Sequence, residues 1–185
     1  MTGTEALEIV ATFLNNEPVV LANGYISREF FNVQDREGSF YMIGSMGLAS
    51  SIGLGAALAR PDRKTVIVDG DGNVLMSMGT LAMIAAARPK NLVHLCIDNE
   101  VYESTGKQRS LSNQIELEKV AQANGYPYSR RVETPDALKQ AMGEVMAGEG
   151  PSFLLIKVAP SFDSNRGRVT HTPEEIRDRF MSVYG

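Results

Sequence analysis

The chain has 185 residues, enough for one ordinary α/β domain and cramped for two, so we expect a single domain spanning 1–185. With 43% hydrophobic residues it should bury an ordinary core, and its formal charge of −4 gives no electrostatic reason to expect nucleic acid or an anionic membrane as partner. No apolar run approaches the ~20 residues of a membrane span, and the single cysteine, Cys96, cannot form an internal disulfide, so a cytoplasmic protein is expected.

Helical and strand patterns alternate through the first half of the chain. Thr4 is a candidate N-cap for the first helix, and Gly53 and Gly55 are expected to allow close packing of the second. The apolar spacing predicts, in chain order, a helix over 4–16, a strand over 18–24, a helix over 44–59, a strand over 64–72, a helix over 74–87 and a strand over 91–100.

The alternation continues after the polar stretch 103–114. Thr134 and Thr172 are N-cap candidates, and Pro173 suits the first position of the last helix. Strands that alternate with helices through right-handed crossovers predict an α/β fold with a doubly wound parallel sheet. The predicted elements are a helix over 115–124, a strand over 128–132, a helix over 135–148, a strand over 152–159 and a helix over 171–184.

Carboxylate and amide side chains follow two successive predicted strands. Asp69 and Asp71 stand between glycines at the end of one strand, and Asn99 ends the next, 28 positions after Asp71. This spacing suits one strand-helix-strand crossover, so Asp71 and Asn99 should emerge at the same edge of the sheet. Their oxygens, with a backbone carbonyl just beyond, suit Mg²⁺ or Ca²⁺.

Gly72 and Asn73 open the following helix, whose free N–H groups would face phosphate oxygens bound to such a cation. A calcium-binding EF-hand starting at Asp69 is excluded, because it requires glycine and glutamate where the chain has Val74 and Thr80. A phosphoacceptor receiver domain, in which Lys157 would be the conserved lysine, does not account for the paired glycines or for Asn99. Helix capping explains Asp71 or Asn99 singly but not their joint spacing.

The motif GDGN, followed by 26 residues from Asn73 to Asp98 and then by Asn99, resembles the thiamine diphosphate motif GDG-x(about 26)-N. The segment 43–58, rich in small residues, is similar to the glycine-rich stretch that precedes GDG in the same enzymes. The segments 23–47 and 103–108 look closest to the sulfopyruvate and phosphonopyruvate decarboxylases. The resemblance covers nearly the whole chain and implies the diphosphate-binding domain of this family.

The resemblance implies roles for individual residues. Asp71, Asn99 and the main-chain oxygen of Val101 match the Mg²⁺ ligands; the family usually has asparagine where this chain has Asp98. Met46 resembles the bulky residue that holds the cofactor bent, and it is otherwise an ordinary core residue. The other residues expected to contact thiamine diphosphate are Asn23, Gly24, Tyr25, Gly44 through its carbonyl, Ser45, Gly70, Gly72, Asn73, Ser104 and Thr105.

The family's activating glutamate lies on a pyrimidine-binding domain about as long as this whole chain. The resemblance therefore implies an α subunit that carries this domain, an active site at the α/β interface, and no activity of this chain alone. The implied reaction is decarboxylation of a 2-keto acid, for which thiamine diphosphate and Mg²⁺ are the cofactors.

The expected substrate is 3-sulfopyruvate, with 3-phosphonopyruvate as the alternative. A cofactor-binding or regulatory domain without catalytic activity is the alternative of a different class. Arg28, Lys107 and Arg109 are candidates for the anionic head group and equally for solvated surface charges. His94 and His171 are expected to be structural.

Overall fold

The computed structural model describes residues 1–160 and 167–184. A 3₁₀ turn at Leu111–Asn113 accompanies the helices and strands. In chain order these are α1 (Gly3–Ala11), β1 (Val19–Leu21), α2 (Tyr25–Val33), β2 (Ser39–Tyr41), α3 (Ala49–Ala59), β3 (Thr65–Gly70), α4 (Asp71–Met76), α5 (Gly79–Ala87), β4 (Leu92–Asp98), β5 (Val101–Tyr102), β6 (Gln108–Arg109), α6 (Leu117–Asn124), β7 (Tyr128–Val132), α7 (Pro135–Ala147), β8 (Ser152–Lys157) and α8 (Pro173–Tyr184).

One six-stranded sheet organises the fold, with the strand order β2-β1-β3-β4-β8-β7 and parallel pairing throughout. The chain leaves β1 toward β2 at one edge and then returns to β3 on the other side of β1. Because crossovers are right-handed, this reversal places α2 and α3 on opposite faces of the sheet. The predicted doubly wound parallel α/β fold is therefore confirmed, with its topological switch point between β1 and β3.

The two helix layers are recognisable from their contacts. Helix α1 packs against α2 and α7, whereas α5 packs against α3 and α6. All residues of β3 and β4 are buried between the layers, which explains their largely apolar composition. No helix of the described ranges is long and apolar enough to cross a membrane.

Several local predictions were wrong. Helix α1 is capped by Thr2, whose hydroxyl accepts from the Glu5 N–H while the Glu5 carboxylate accepts from the Thr2 N–H, so Thr4 lies inside the helix.

The predicted helix over 44–59 begins only at Ala49, and the helix over 74–87 is broken into α4 and α5. Helix α2 and strand β2 were not predicted, and the polar stretch contains the antiparallel pair β5 and β6.

The two glycines of α3 differ in their surroundings. A Cβ on Gly53 would overlap the Ile67 side chain on β3, so its predicted role in close packing is supported by the contact. A Cβ on Gly55 would meet no atom within 4 Å, so the same prediction for Gly55 was wrong.

Gly53→Ala is expected to lower the free energy of unfolding by about 1–3 kcal/mol, because the added methyl group displaces Ile67 from the sheet. Gly55→Ala is the matched control on the same helix and should raise that free energy by about 0.5–1 kcal/mol, since alanine favours helix. Urea denaturation of both variants measures the difference. Equal destabilisation by the two would contradict the packing described for α3.

Candidate functional site

A cleft opens at the carboxyl ends of β1, β3 and β4, at the switch point of the sheet. Most of the predicted site residues line it, and Ile26, Ile97, Tyr102 and Glu103 line it as well. The predicted residues brought together there are Asn23, Gly24, Tyr25, Met46, Gly70, Asp71, Gly72, Asn73, Asn99, Val101 and Ser104.

Three predicted residues lie outside this cleft. Gly44 and Ser45 line a neighbouring apolar pocket between β2 and α8. Within the turn between β5 and β6, Oγ1 of Thr105 lies 2.8 Å from Oε1 of Gln108 and 3.2 Å from the Tyr102 carbonyl oxygen, which are the two acceptors near its one hydroxyl hydrogen. The structure therefore does not bring these three together with the rest.

The carboxylates of Asp69 and Asp71, on either side of Gly70, face different surroundings. Asp69 points into the core, where its Oδ2 lies 3.3 Å from Nε2 of His94 and its Oδ1 accepts from the Gly70 N–H at 3.1 Å. Both side chains of this pair are fully buried. Asp71 lines the cleft instead. Asp69 and His94 therefore form part of the core, in agreement with the structural role expected for His94.

Asp71 is fixed by two serines from the segment that follows β6. Its Oδ2 accepts hydrogen bonds from the hydroxyls of Ser110 and Ser112, the latter at 2.9 Å. Oγ of Ser112 also lies 2.8 Å from Oδ1 of Asp98, so its single hydroxyl hydrogen is shared between two carboxylates. Burial of Asp71 raises the pKa of its carboxyl group, and the nearby charge of Asp98 adds to this effect although the serine hydrogen bonds oppose it.

Asp98 has its own compensating partner. Lys157, its neighbour in the register between β4 and β8, donates to Asp98 Oδ2 at 2.9 Å and also to Glu100. Burial opposes the charge on Lys157, but its hydrogen bonds to Glu100 and Asp98 outweigh burial and raise its pKa. Asp98 is thus held by a lysine on one side and by Ser112 on the other.

Asn99 begins the loop that carries the remaining polar groups of the cleft. Its Oδ1 accepts from the Val101 N–H at 3.0 Å, and its Nδ2 donates to Oε2 of Glu103 at 2.9 Å. Oε1 of Glu103 is buried and has no hydrogen-bond partner among the residues described. The loop therefore brings an amide and a carboxylate to the cleft opposite Asp71.

Gly72 lies on the wall of the cleft beneath two side chains. A Cβ at this position would come within 2.5 Å of Cε1 of Tyr102 and 3.0 Å of Cε of Met46. Beside it, Nδ2 of Asn73 donates to Oδ1 of Asn23 at 3.0 Å and joins the end of β1 to α4. A side chain at position 72 would narrow the cleft, which accounts for glycine there.

Sequence reasoning missed Ser110, Ser112, Tyr102 and Glu103. All four lie in or beside the polar stretch, where no periodic pattern indicated structure. Their positions depend on how β5 and β6 fold back over α4, which is a tertiary contact. The described residues contain no cluster of three or more His, Cys, Asp or Glu side chains that could hold a metal. The expected set of one carboxylate, one amide and one carbonyl stays a prediction.

The chain is similar to known proteins along nearly its whole length. A phosphonopyruvate decarboxylase of Streptomyces viridochromogenes is 42% identical over 182 residues, which are 98% of this chain and 46% of that protein. The sulfopyruvate decarboxylase subunit beta of Methanococcus maripaludis is 38% identical over 183 residues, 99% of this chain and 97% of that subunit. The chain thus spans about half of the first relative and nearly all of the second.

The solved structures agree on the fold. Benzoylformate decarboxylase from Polynucleobacter necessarius superposes with a TM-score of 0.73 at 19% sequence identity, covering 88% of this chain and 34% of that one. The family model described as "Thiamine pyrophosphate enzyme, C-terminal TPP binding domain" matches residues 22–156, from the end of β1 to β8. Its cleft at the switch point is lined by Gly70, Asp71, Gly72 and Asn99. The family match shows that this chain belongs to the thiamine pyrophosphate enzymes and contains their C-terminal TPP binding domain.

Proposed function

We propose that this chain is the β subunit of a thiamine diphosphate-dependent 2-keto acid decarboxylase that converts 3-sulfopyruvate to sulfoacetaldehyde and CO₂. The observation that carries the proposal is the cleft at the switch point, which is lined by Asp71 and Asn99 from the ends of the neighbouring strands β3 and β4. The 38% identity over nearly all of a sulfopyruvate decarboxylase subunit beta supports the same assignment. A cytoplasmic location is part of the proposal.

The residues present fit a magnesium ion. The Asp71 carboxylate is buried beside Asp98, and its raised pKa reflects the cost of keeping its charge there without a cation. A divalent cation would stabilise the ionised form, and oxygen ligands from one carboxylate, one amide and one carbonyl are those Mg²⁺ prefers. Asp71, Asn99 and the main-chain oxygen of Val101 are the proposed ligands.

The residues present also fit a diphosphate. Gly70 and Gly72 leave one wall of the cleft without side chains, and Asn73 and Asn23 present amides there. Met46 lines the same cleft and is proposed to support the bent cofactor. Tyr25, Gly24 and Ser104 complete the proposed contacts. Three predicted contacts lie outside the cleft. Gly44, two positions before Met46, would contact the cofactor only through its main-chain carbonyl. The contacts of Ser45 and Thr105 stay predictions.

When bound, thiamine diphosphate supplies the carbanion that adds to the keto group and the ring that accepts the electrons released with CO₂. The chain's own residues orient it. Asp71 and Asn99 would hold the metal that binds its diphosphate end, and Met46 would limit how the cofactor can lie in the cleft. The glutamate that activates the cofactor is proposed to come from the α subunit.

Exposed apolar side chains next to the cleft support a partner subunit. Met76 and Leu111, 65% and 54% exposed, line a groove that shares Gly72 and Tyr102 with the cleft. Ile43, 68% exposed, lies on the pocket beside it. Apolar surface of this kind around a binding site indicates a protein interface. We propose that the α subunit with its pyrimidine-binding domain covers it.

The second candidate substrate is 3-phosphonopyruvate. It is favoured by the 42% identity to a phosphonopyruvate decarboxylase, a protein about twice as long as this chain. A domain that binds the cofactor without catalytic activity is the remaining alternative.

Reconstitution tests the proposal. The chain is mixed with its α subunit, thiamine diphosphate and Mg²⁺, and CO₂ release from 3-sulfopyruvate and 3-phosphonopyruvate is followed side by side. We expect release from 3-sulfopyruvate that requires both subunits. Preference for 3-phosphonopyruvate would transfer the proposal to the second substrate, and release from neither acid despite Mg²⁺-dependent cofactor binding would leave the non-catalytic alternative.

A further inference from the structure

A second cavity adjoins the cleft and contains two arginines. It is lined by Arg28 and Arg168, with Ser27, Met42, Ile43 and Val169, and it shares Asn23, Gly24 and Ser104 with the cleft. We propose that Arg28 and Arg168 bind the sulfonate or phosphonate head group of the substrate. This assignment rests on the proposed function, because it takes the keto acid to react in the neighbouring cleft.

The fold brings the two arginines to one cavity. The guanidinium of Arg28 lies 5.3 Å above the ring of Tyr25, which is one turn earlier on α2 and lines the cleft. Nδ2 of Asn32 donates to the carbonyl of Arg28 at 2.7 Å and to that of Gly167 at 3.2 Å. Asn32 therefore fastens the segment that carries Arg168 to the helix that carries Arg28.

Neither charge is neutralised within the described parts of the chain. Arg28 and Arg168 form no ion pair with a described carboxylate, whereas Arg60, Arg130 and Arg179 each have one. Two guanidinium groups on one cavity repel each other unless an anion lies between them. Arginine suits a tetrahedral oxyanion, because its planar fork donates two parallel hydrogen bonds to two oxygens.

The chemistry of the substrate requires a head-group site next to the cofactor. In 3-sulfopyruvate and 3-phosphonopyruvate the sulfur or phosphorus atom is only two bonds from the keto carbon. A residue that binds the head group must therefore face a space continuous with the reaction cleft. The cavity of Arg28 and Arg168 meets this requirement through Asn23, Gly24 and Ser104.

The other cationic candidates are placed differently. Lys107 lies in the exposed turn between β5 and β6, and Arg109 is exposed on β6. Neither lines the cleft or the cavity beside it. The structure thus selects Arg28 from the three cations considered in the sequence and adds Arg168, which the sequence did not indicate.

Binding and turnover of Arg28→Gln and Arg168→Gln test the assignment together. Binding is measured by NMR titration of the full chain with sulfoacetate and methylphosphonate, with acetate as the ligand that lacks a head group. Turnover is measured in the reconstituted α/β complex with 3-sulfopyruvate, 3-phosphonopyruvate and pyruvate. Arg88→Gln, an exposed arginine at the end of α5, is the matched control.

We expect each variant to weaken sulfoacetate binding at least about tenfold and to raise KM for the preferred acid by a similar factor. The ratio kcat/KM for pyruvate and the affinity for thiamine diphosphate should stay unchanged, as should all values for Arg88→Gln. The oxyanion that binds more tightly, sulfonate or phosphonate, identifies the head group.

Two results would overturn the assignment and one would separate it from the proposed function. Variants that bind sulfoacetate and methylphosphonate as the wild type does would overturn it, as would an active complex whose KM is unchanged by both substitutions. If the complex releases no CO₂ from either anionic acid while both substitutions abolish oxyanion binding, the decarboxylase proposal fails and the anion site stands.

Discussion

Replacing Asp71 by asparagine is expected to weaken Mg²⁺-dependent binding of thiamine diphosphate to the α/β complex by more than about 100-fold. The substitution keeps the shape of the side chain and removes the single carboxylate of the proposed ligand set. Isothermal titration at saturating Mg²⁺ measures the loss. Asp62→Asn is the control, since its carboxylate is 61% exposed and pairs with Arg60 at the surface.

The same substitution should not unfold the chain. Because burial raises the pKa of Asp71, the folded cofactor-free protein holds this proton more tightly than the unfolded chain does. Its ionisation therefore lowers stability as pH rises through the raised pKa, and asparagine removes this cost. We expect Asp71→Asn without cofactor to be at least as stable as the wild type at neutral pH. Loss of binding together with loss of folding would contradict the role given to Asp71.

His94→Leu is expected to lower the free energy of unfolding by about 3 kcal/mol. His94 and Asp69 are both fully buried, and removal of the imidazole leaves Oδ2 of Asp69 without a partner in the core. Urea denaturation measures the loss. His171→Leu should cost less than about 1 kcal/mol, because Asp35 keeps its contacts with Arg179 and Tyr41 near the surface.

A double variant tests whether His94→Leu lowers stability because the Asp69 carboxylate loses its partner or because the core is packed less well. His94→Leu with Asp69→Leu replaces the buried polar pair by two apolar side chains of similar size, so it should recover part of the stability lost in His94→Leu. A double variant that is less stable than His94→Leu by the full cost of a second core defect would contradict this explanation.

The central strands were predictable because burial on both faces leaves a continuous apolar run. Strands β3 and β4 are buried at every residue, and apart from Thr65, Asp69, His94 and Asp98 their side chains are apolar or absent. The joint position of Asp71 and Asn99 was predictable for a related reason, since adjacent parallel strands end at the same edge. The spacing in the sequence was therefore enough to predict that both side chains line one cleft.

Helix α2 escaped prediction although Ile26 and Phe30 lie on its buried face at helical spacing. Its N-cap is Gly24 with φ of 85°, so no capping side chain marked its start. Strand β2 has three residues, too few to show a period. The break after α4 was hidden because its apolar composition continues into α5.

The serines that hold Asp71 could not be found from sequence. Ser110 and Ser112 approach Asp71 because β5 and β6 pair and turn the chain back over α4. That pairing involves two residues on each strand and leaves no periodic signal. Arg168 was missed for the same reason, since its neighbour Arg28 is distant in sequence and the link through Asn32 is a tertiary contact.

A crystal structure of the α/β complex with thiamine diphosphate and Mg²⁺ tests the central claim most directly. We predict a magnesium ion bound by Asp71, by Oδ1 of Asn99 and by the main-chain oxygen of Val101, with the diphosphate against Gly72 and Asn73. A cofactor whose diphosphate lies elsewhere, or a cation that does not contact Asp71, would contradict the account.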